Sequence, residues 1–138
     1  MATIMLVDDD KMLRLIYRVI LEQEGYQVIE AESGLECLKI LGEGEKPDLI
    51  LMDVIMPDLD GWKTCKRIKE NPETKDIVVA MLTVLDQPAD EVRSLKSFGA
   101  DWHISKRMNK TLILETVKWL LSSQKSKKEK PKSIIEIK

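Results

Sequence analysis

Cysteine, histidine and aromatic residues are scarce here: 138 residues hold two Cys, one His, three Trp, two Tyr and one Phe. Cys37 and Cys65 each fall in a helical pattern with no second Cys or His at ligand spacing, which argues against zinc and disulfides and for two reduced thiols. Long hydrophobic runs are missing too. Ile4 to Val7 is broken at once by Asp8, Asp9 and Asp10, so neither a signal peptide nor a membrane span fits, and a cytoplasmic setting is expected. Charge of one sign does not dominate, the formal net being −2, but residues 1–123 carry 22 acids and 16 bases, net −6, and residues 124–138 six Lys and two Glu, net +4. The length suits one domain with a real core and not two. The expected division is one domain over 1–123 and a solvated, flexible Lys-rich tail over 124–138.

What is present is an alternation. Short apolar runs at Ile4–Val7, Gln27–Ile29, Leu49–Met52, Ile77–Leu82 and Trp102–Ile104 read as strands, and the stretches between them repeat apolar residues at three- and four-residue spacing. In the first such stretch Met12, Leu15, Ile16, Val19 and Ile20 make one stripe, closed by Gly25 as a stop signal. Leu35 to Leu41, Trp62 to Lys69, Ala89 to Phe98 and Lys110 to Leu121 supply four more helices. Nearly continuous apolar strands imply burial on both faces, hence a parallel sheet covered by helices on each side, a doubly wound α/β sandwich. Ligands in such sheets bind beyond the carboxyl ends of the strands, where strand order reverses.

Four strand ends offer polar chemistry: Asp8, Asp9 and Asp10 after the first, Asp53 after the third, Thr83 after the fourth and Lys106 after the fifth. If Asp8, Asp9 and Asp53 converge, two carboxylates about 4 Å apart repel by roughly 4 kcal/mol at an effective dielectric near 20. A cation resolves this. Mg2+ is the expected cofactor, since it takes oxygen ligands and binds through one or two carboxylates plus a phosphoryl group. An Asp carboxylate can attack phosphorus, Lys106 can pair with one phosphoryl oxygen, and the Thr83 hydroxyl can donate to another. Each residue alone has a plainer use: a single Asp after a strand is more often a helix N-cap, and Asp8 to Asp10 ahead of Met12 fit that as well.

Together these residues resemble a response-regulator receiver domain of two-component signalling over about residues 2 to 122. Asp8 and Asp9 match the family's metal-binding acids, Asp53 its phosphorylated aspartate, and Asp53-x-x-Met56-Pro57-x-x-Asp60-Gly61 the loop after it. Thr83 and Lys106 match the switch hydroxyl and the phosphate-pairing lysine, and Gly99-Ala100-Asp101 the segment entering the fifth strand. The resemblance implies a flavodoxin-like (βα)5 three-layer sandwich with strand order 2-1-3-4-5. It implies a histidine kinase or phosphotransfer protein as phosphodonor and the Ile55 main-chain carbonyl as a further metal ligand. The implied output is a downstream protein bound at the face of the fourth helix, fifth strand and fifth helix, roughly Gln87 to Leu121. Such a domain catalyses only its own phosphorylation and dephosphorylation. Trp119 with Leu114 and Leu121 either leaves apolar area on that face or packs in the ordinary way.

The chain departs from the family pattern at three places. His103 stands where a Tyr or Phe usually pairs with the switch Thr, and reads either as a tolerated ring or as a pH-sensitive one. Val84 replaces a small residue, which narrows access to Asp53 and predicts slower transfer from small donors or slower dephosphorylation. Arg107 replaces a Pro that typically follows a cis bond, and a cis bond before a non-proline costs roughly 2.5–4 kcal/mol. Two other readings stay open: a receiver used only as a phosphorylation-independent binding module, and a Mg-dependent phosphohydrolase with Asp8 as nucleophile and Asp10 as acid. The tail offers nucleic acid or membrane only weak electrostatic attraction, and neither sequence-specific nucleic acid nor membrane is expected as a partner. Ile134-Ile135-Glu136-Ile137 is its one apolar stretch, able to add a strand to a partner or dock on the domain.

Overall fold

A computed structural model describes residues 2–56, 59–83, 98–106 and 109–122. Five strands, β1 (Thr3–Val7), β2 (Gln27–Ala31), β3 (Leu49–Asp53), β4 (Val78–Thr83) and β5 (Trp102–Ser105), form one parallel sheet in the order β2-β1-β3-β4-β5. Helices α1 (Lys11–Gln23), α2 (Gly34–Gly42), α3 (Gly61–Glu70) and α4 (Lys110–Leu121) are the helices among the described residues. Most of the stretch expected to form a helix over Ala89–Phe98 lies outside them, as do Val84, Arg107 with its preceding peptide bond, and the tail. No helix among the described residues is long and apolar enough to cross a membrane.

Alternation along the strands builds two cores. Met5, Val7, Ile50, Met52, Val79 and Met81 point to one face and meet Cys37 and Leu41 of α2 and Trp62, Cys65 and Ile68 of α3. Ile4, Leu6, Leu49, Leu51, Ala80, Leu82 and Ile104 point to the other and meet Tyr17 and Leu21 of α1 and Ile113, Val117 and Leu120 of α4. Three layers result, as expected from double-sided burial. Both cysteines are free, and burial pushes each thiol up to about 12. Trp119 packs edge to face on Trp102, ring centroids 4.9 Å apart, and it, Leu114 and Leu121 are partly buried against the second core, so packing accounts for them.

The α1 stripe faces away from the sheet. Met12, Leu15, Ile16 and Val19 lie on the outside, Ile20 is half-buried at the flank, and the buried residues of the helix are Arg14, Tyr17 and Leu21. Arg14 turns inward because partners await it: its Nη1 donates to the Asp8 carbonyl and its Nε to Glu30 Oε1 at 3.0 Å. Periodicity marks a stripe, whereas the partners on the sheet decide which face is buried. Gly25 does end the helix in the left-handed region, φ +89.

Far from the carboxyl ends of the strands, one ammonium group ties two strands together. Lys69 Nζ donates to the Ile77 carbonyl (2.6 Å), the Lys75 carbonyl (3.2 Å) and Asp101 Oδ2 (2.7 Å). The same Asp101 oxygen accepts from the Val79 N–H at 2.8 Å, and the Asp101 N–H donates to the Val79 carbonyl at 2.8 Å. Ile77 leads into β4 and Asp101 into β5.

Candidate functional site

Strand register puts the first two acids level. Val7 of β1 pairs with Met52 of β3, so the next residues, Asp8 and Asp53, emerge side by side at the point where the sheet's connections diverge, toward β2 on one side and β4 on the other. Asp8 and Asp53 are buried and Asp9 is exposed, and one carboxylate oxygen from each lies within 4.8 Å of the others. Three converging oxygens from carboxylates form the kind of hard-donor set that suits a divalent cation. Asp10 has a different task. Its Oδ1 accepts from the Met12 and Leu13 N–H groups as the N-cap of α1, the plainer use the sequence also allowed.

Lys106, directly after β5, enters the cluster from the opposite side. Its Nζ lies 2.9 Å from Asp53 Oδ1 and 3.2 Å from Asp8 Oδ2, so one cation pairs with both buried carboxylates. Burial pushes the Asp53 carboxyl above the ordinary carboxylate value, with Asp8 and Asp9 adding to the rise and Lys106 opposing it. Burial acts to lower the Lys106 ammonium, but its bonds and charge contacts with Asp53 and Asp8 outweigh that and leave it above its usual value. Tyr17 senses the same charges: burial raises its hydroxyl, Lys106 lowers it, and Asp8 and Asp53 raise it.

Thr83 closes β4 opposite Ser105, one residue beyond the Asp53–Leu82 pair. His103 lies in β5 opposite Met81, half-buried. The Ile55 side chain, two residues after Asp53, is 66% exposed. Two contributors had no clear signal in the sequence. Arg14 anchors the Asp8 carbonyl while Arg14 and Arg18 both pair with Glu30, and only a cation inside an apolar helix pattern hinted at it. Gly61, which the sequence marked only as part of the loop motif after Asp53, allows α3 to start directly against the main chain of Asp53.

The doubly wound sheet thus carries an acid trio and a lysine at its switch point, where such sheets bind their ligands. The chain belongs to the response regulator receiver domain family, whose model matches residues 4–118. It is 34% identical over 122 residues to protein PilH of Pseudomonas aeruginosa, covering 88% of this chain and 99% of that one. It is 34% identical over 116 residues to the polar-differentiation response regulator DivK of Brucella ovis, covering 84% and 93%. Among solved structures it resembles the signal receiver domain of a signal transduction histidine kinase from Syntrophus aciditrophicus, with 37% identity, a TM-score of 0.80 and coverage of 88% and 90%. The chemotaxis response regulator CheY4 of Vibrio cholerae has the same fold at 28% identity, TM-score 0.80, with 87% and 98% covered. The strand order expected by resemblance is the one observed, and the protein is a receiver of two-component signalling.

Proposed function

We propose that Asp53 accepts a phosphoryl group from a histidine kinase or phosphotransfer protein, and that the charged domain signals by binding a downstream protein. The observation that carries this reading is the contact of Lys106 with Asp53 at 2.9 Å inside the Asp8/Asp9/Asp53 cluster. One Asp53 oxygen bonds to phosphorus as the bond from phosphorus to the donor's histidine nitrogen breaks, the ring nitrogen keeping the electron pair. Lys106, already desolvated and cationic, then pairs with a phosphoryl oxygen, and the Thr83 hydroxyl donates to another, a role supported by its place at the adjacent strand end. The donor set fits Mg2+ held by Asp8, Asp9, Asp53 and the Ile55 main-chain carbonyl, which when bound supplies positive charge against the phosphoryl oxygens.

The added charge, up to about two negative units, acts by biasing a bistable element. By family resemblance that element is Thr83 with His103, and the responding surface is formed by the helix expected over Ala89–Phe98, β5 and α4, roughly Gln87 to Leu121. The domain, in a cytoplasmic setting, then catalyses only its own phosphorylation and dephosphorylation. The test is Mg2+-dependent phosphoryl incorporation from acetyl phosphate and from a panel of kinase domains, read by intact mass and hydroxylamine lability. A labile adduct present in wild type and lost in Asp53→Asn is expected. No adduct from any donor would replace this reading with a phosphorylation-independent binding module.

A further inference from the structure

The three acids of the cluster are not held alike. Lys106 pairs with Asp53 and with Asp8, and Asp8 Oδ1 also accepts from the Asp10 N–H at 2.9 Å. The Asp9 carboxylate is exposed and has no hydrogen bond or ion pair among the described residues, yet one of its oxygens lies with the other two acids. Its place there comes from the main chain that carries it.

That main chain is clamped on both sides of Asp9. Ahead of it the Asp8 N–H donates to the Ala31 carbonyl at 3.1 Å and the Asp8 carbonyl accepts from Arg14 Nη1; behind it the Asp10 N–H is tied to the Asp8 side chain. A peptide unit is planar, so a hold on the Asp8 carbonyl oxygen fixes the whole unit as far as the Asp9 Cα. Arg14 is buried and is itself held from the far side. Its Nε donates to Glu30 Oε1 at 3.0 Å, while Glu30 Oε2 accepts from Arg18 Nη1 at 2.7 Å. The rigid guanidinium fork spans carbonyl and carboxylate together, whereas an ammonium offers one point of contact.

We propose that Arg14 is a positioning residue for a divalent cation, acting through the Asp8–Asp9 peptide on the Asp9 carboxylate. The inference rests on the reading of Asp8, Asp9 and Asp53 as a cation site. Charge and position make opposite demands here. A guanidinium near such a site repels the metal, so on charge alone its removal tightens binding. Loss of its hold on the peptide frees the Asp9 carboxylate and weakens binding. Outer partners that orient metal ligands change affinity by about 10- to 100-fold when removed, so position prevails.

The test titrates the full chain with Mn2+, which takes the same oxygen donors as Mg2+, and reads free metal from its electron paramagnetic resonance signal. Arg14→Met raises the Kd for Mn2+ about tenfold, and Arg14→Lys, which keeps the charge and one contact, about fivefold. Melting of the metal-free variants reports whether each is folded, and Arg14→Lys carries the test if Arg14→Met is not. In an Asp9→Asn background the acid being positioned is gone, so either substitution shifts Kd by no more than about twofold. A general loosening of the fold would instead cost the same factor in both backgrounds. Unchanged or tighter Mn2+ binding in the Arg14 variants, or equal losses with and without the Asp9 carboxylate, overturns the proposal. Wild-type protein that binds no Mn2+ overturns the cation site itself, a failure visible before any Arg14 variant is compared.

Discussion

Gly61 lies directly against the main chain of Asp53: a Cβ at Gly61 would stand 2.0 Å from the Asp53 carbonyl oxygen and 2.9 Å from Val54 Cα. The Gly61 N–H also donates to the Val54 carbonyl at 2.9 Å, so the start of α3 is fastened to the end of the strand that carries the acid. No side chain flexes out of such a contact, because the obstructing atoms are backbone. Gly61→Ala must therefore push α3 away from β3, at a cost of about 1–3 kcal/mol typical of overpacking. Urea unfolding should show that loss, together with a lower yield of the Asp53 adduct.

Lys106→Met removes the cation that, among the described residues, touches both buried acids. At pH 8 it should cost about 1–3 kcal/mol, the penalty of leaving buried carboxylates without their partner. The cost should shrink at pH 5. Burial holds the Asp53 carboxyl above its ordinary value, and loss of the opposing Lys106 raises it further, so the folded variant takes up a proton before the unfolded chain does. Urea midpoints of wild type and variant at the two pH values check this; a larger deficit at pH 5 would contradict it.

Alkaline stability carries a second signature. Burial raises the Tyr17 hydroxyl above 10.0, and the contacts of Lys106 with Asp53 and Asp8 outweigh burial to raise its ammonium above 10.5. Both groups lose protons from the unfolded chain first. Their stabilisation is fully present below those unfolded values and is lost as pH rises through the higher folded ones. Melting temperatures should fall from pH 9 to pH 11, less steeply in Tyr17→Phe; the slope persists in part because Tyr26 is raised by burial too.

The outward turn of the α1 stripe gives a direct contrast. Leu15→Ser and Ile16→Ser change surface positions and should stay within about 0.5 kcal/mol of wild type. Leu21→Ala opens a cavity under the sheet and should cost about 2–5 kcal/mol. Equal losses at the two places would mean that the helix packs on the opposite face.

Strands and helices were legible in the sequence because their periods differ, and β1, β3 and α4 fall within one residue of their expected bounds. The gathering of Asp8, Asp9, Asp53 and Lys106 was legible for a related reason: strand ends in a doubly wound sheet must share one edge. The helix α1 face was not. Its apolar periodicity is real, yet burial went to Tyr17, which packs in the core under the sheet, and to Arg14, whose partners Asp8 and Glu30 come from other elements. Close approaches were equally silent, since Gly34 against Thr64 and Gly61 against Asp53 arise from how helices seat on the sheet and each other.

The Lys69 bridge works as a rivet. By holding the entry to β4 and the entry to β5 on one ammonium group, it fixes these strands relative to each other at the edge of the sheet remote from Asp53. A displacement at Thr83 and Lys106, at the opposite ends of these strands, would leave the pinned ends in place, as two blades pinned at the handle part at the tips. If Asp53 takes a phosphoryl group as proposed, the bridge would confine the response of β4 and β5 to the side of the sheet nearest the acid.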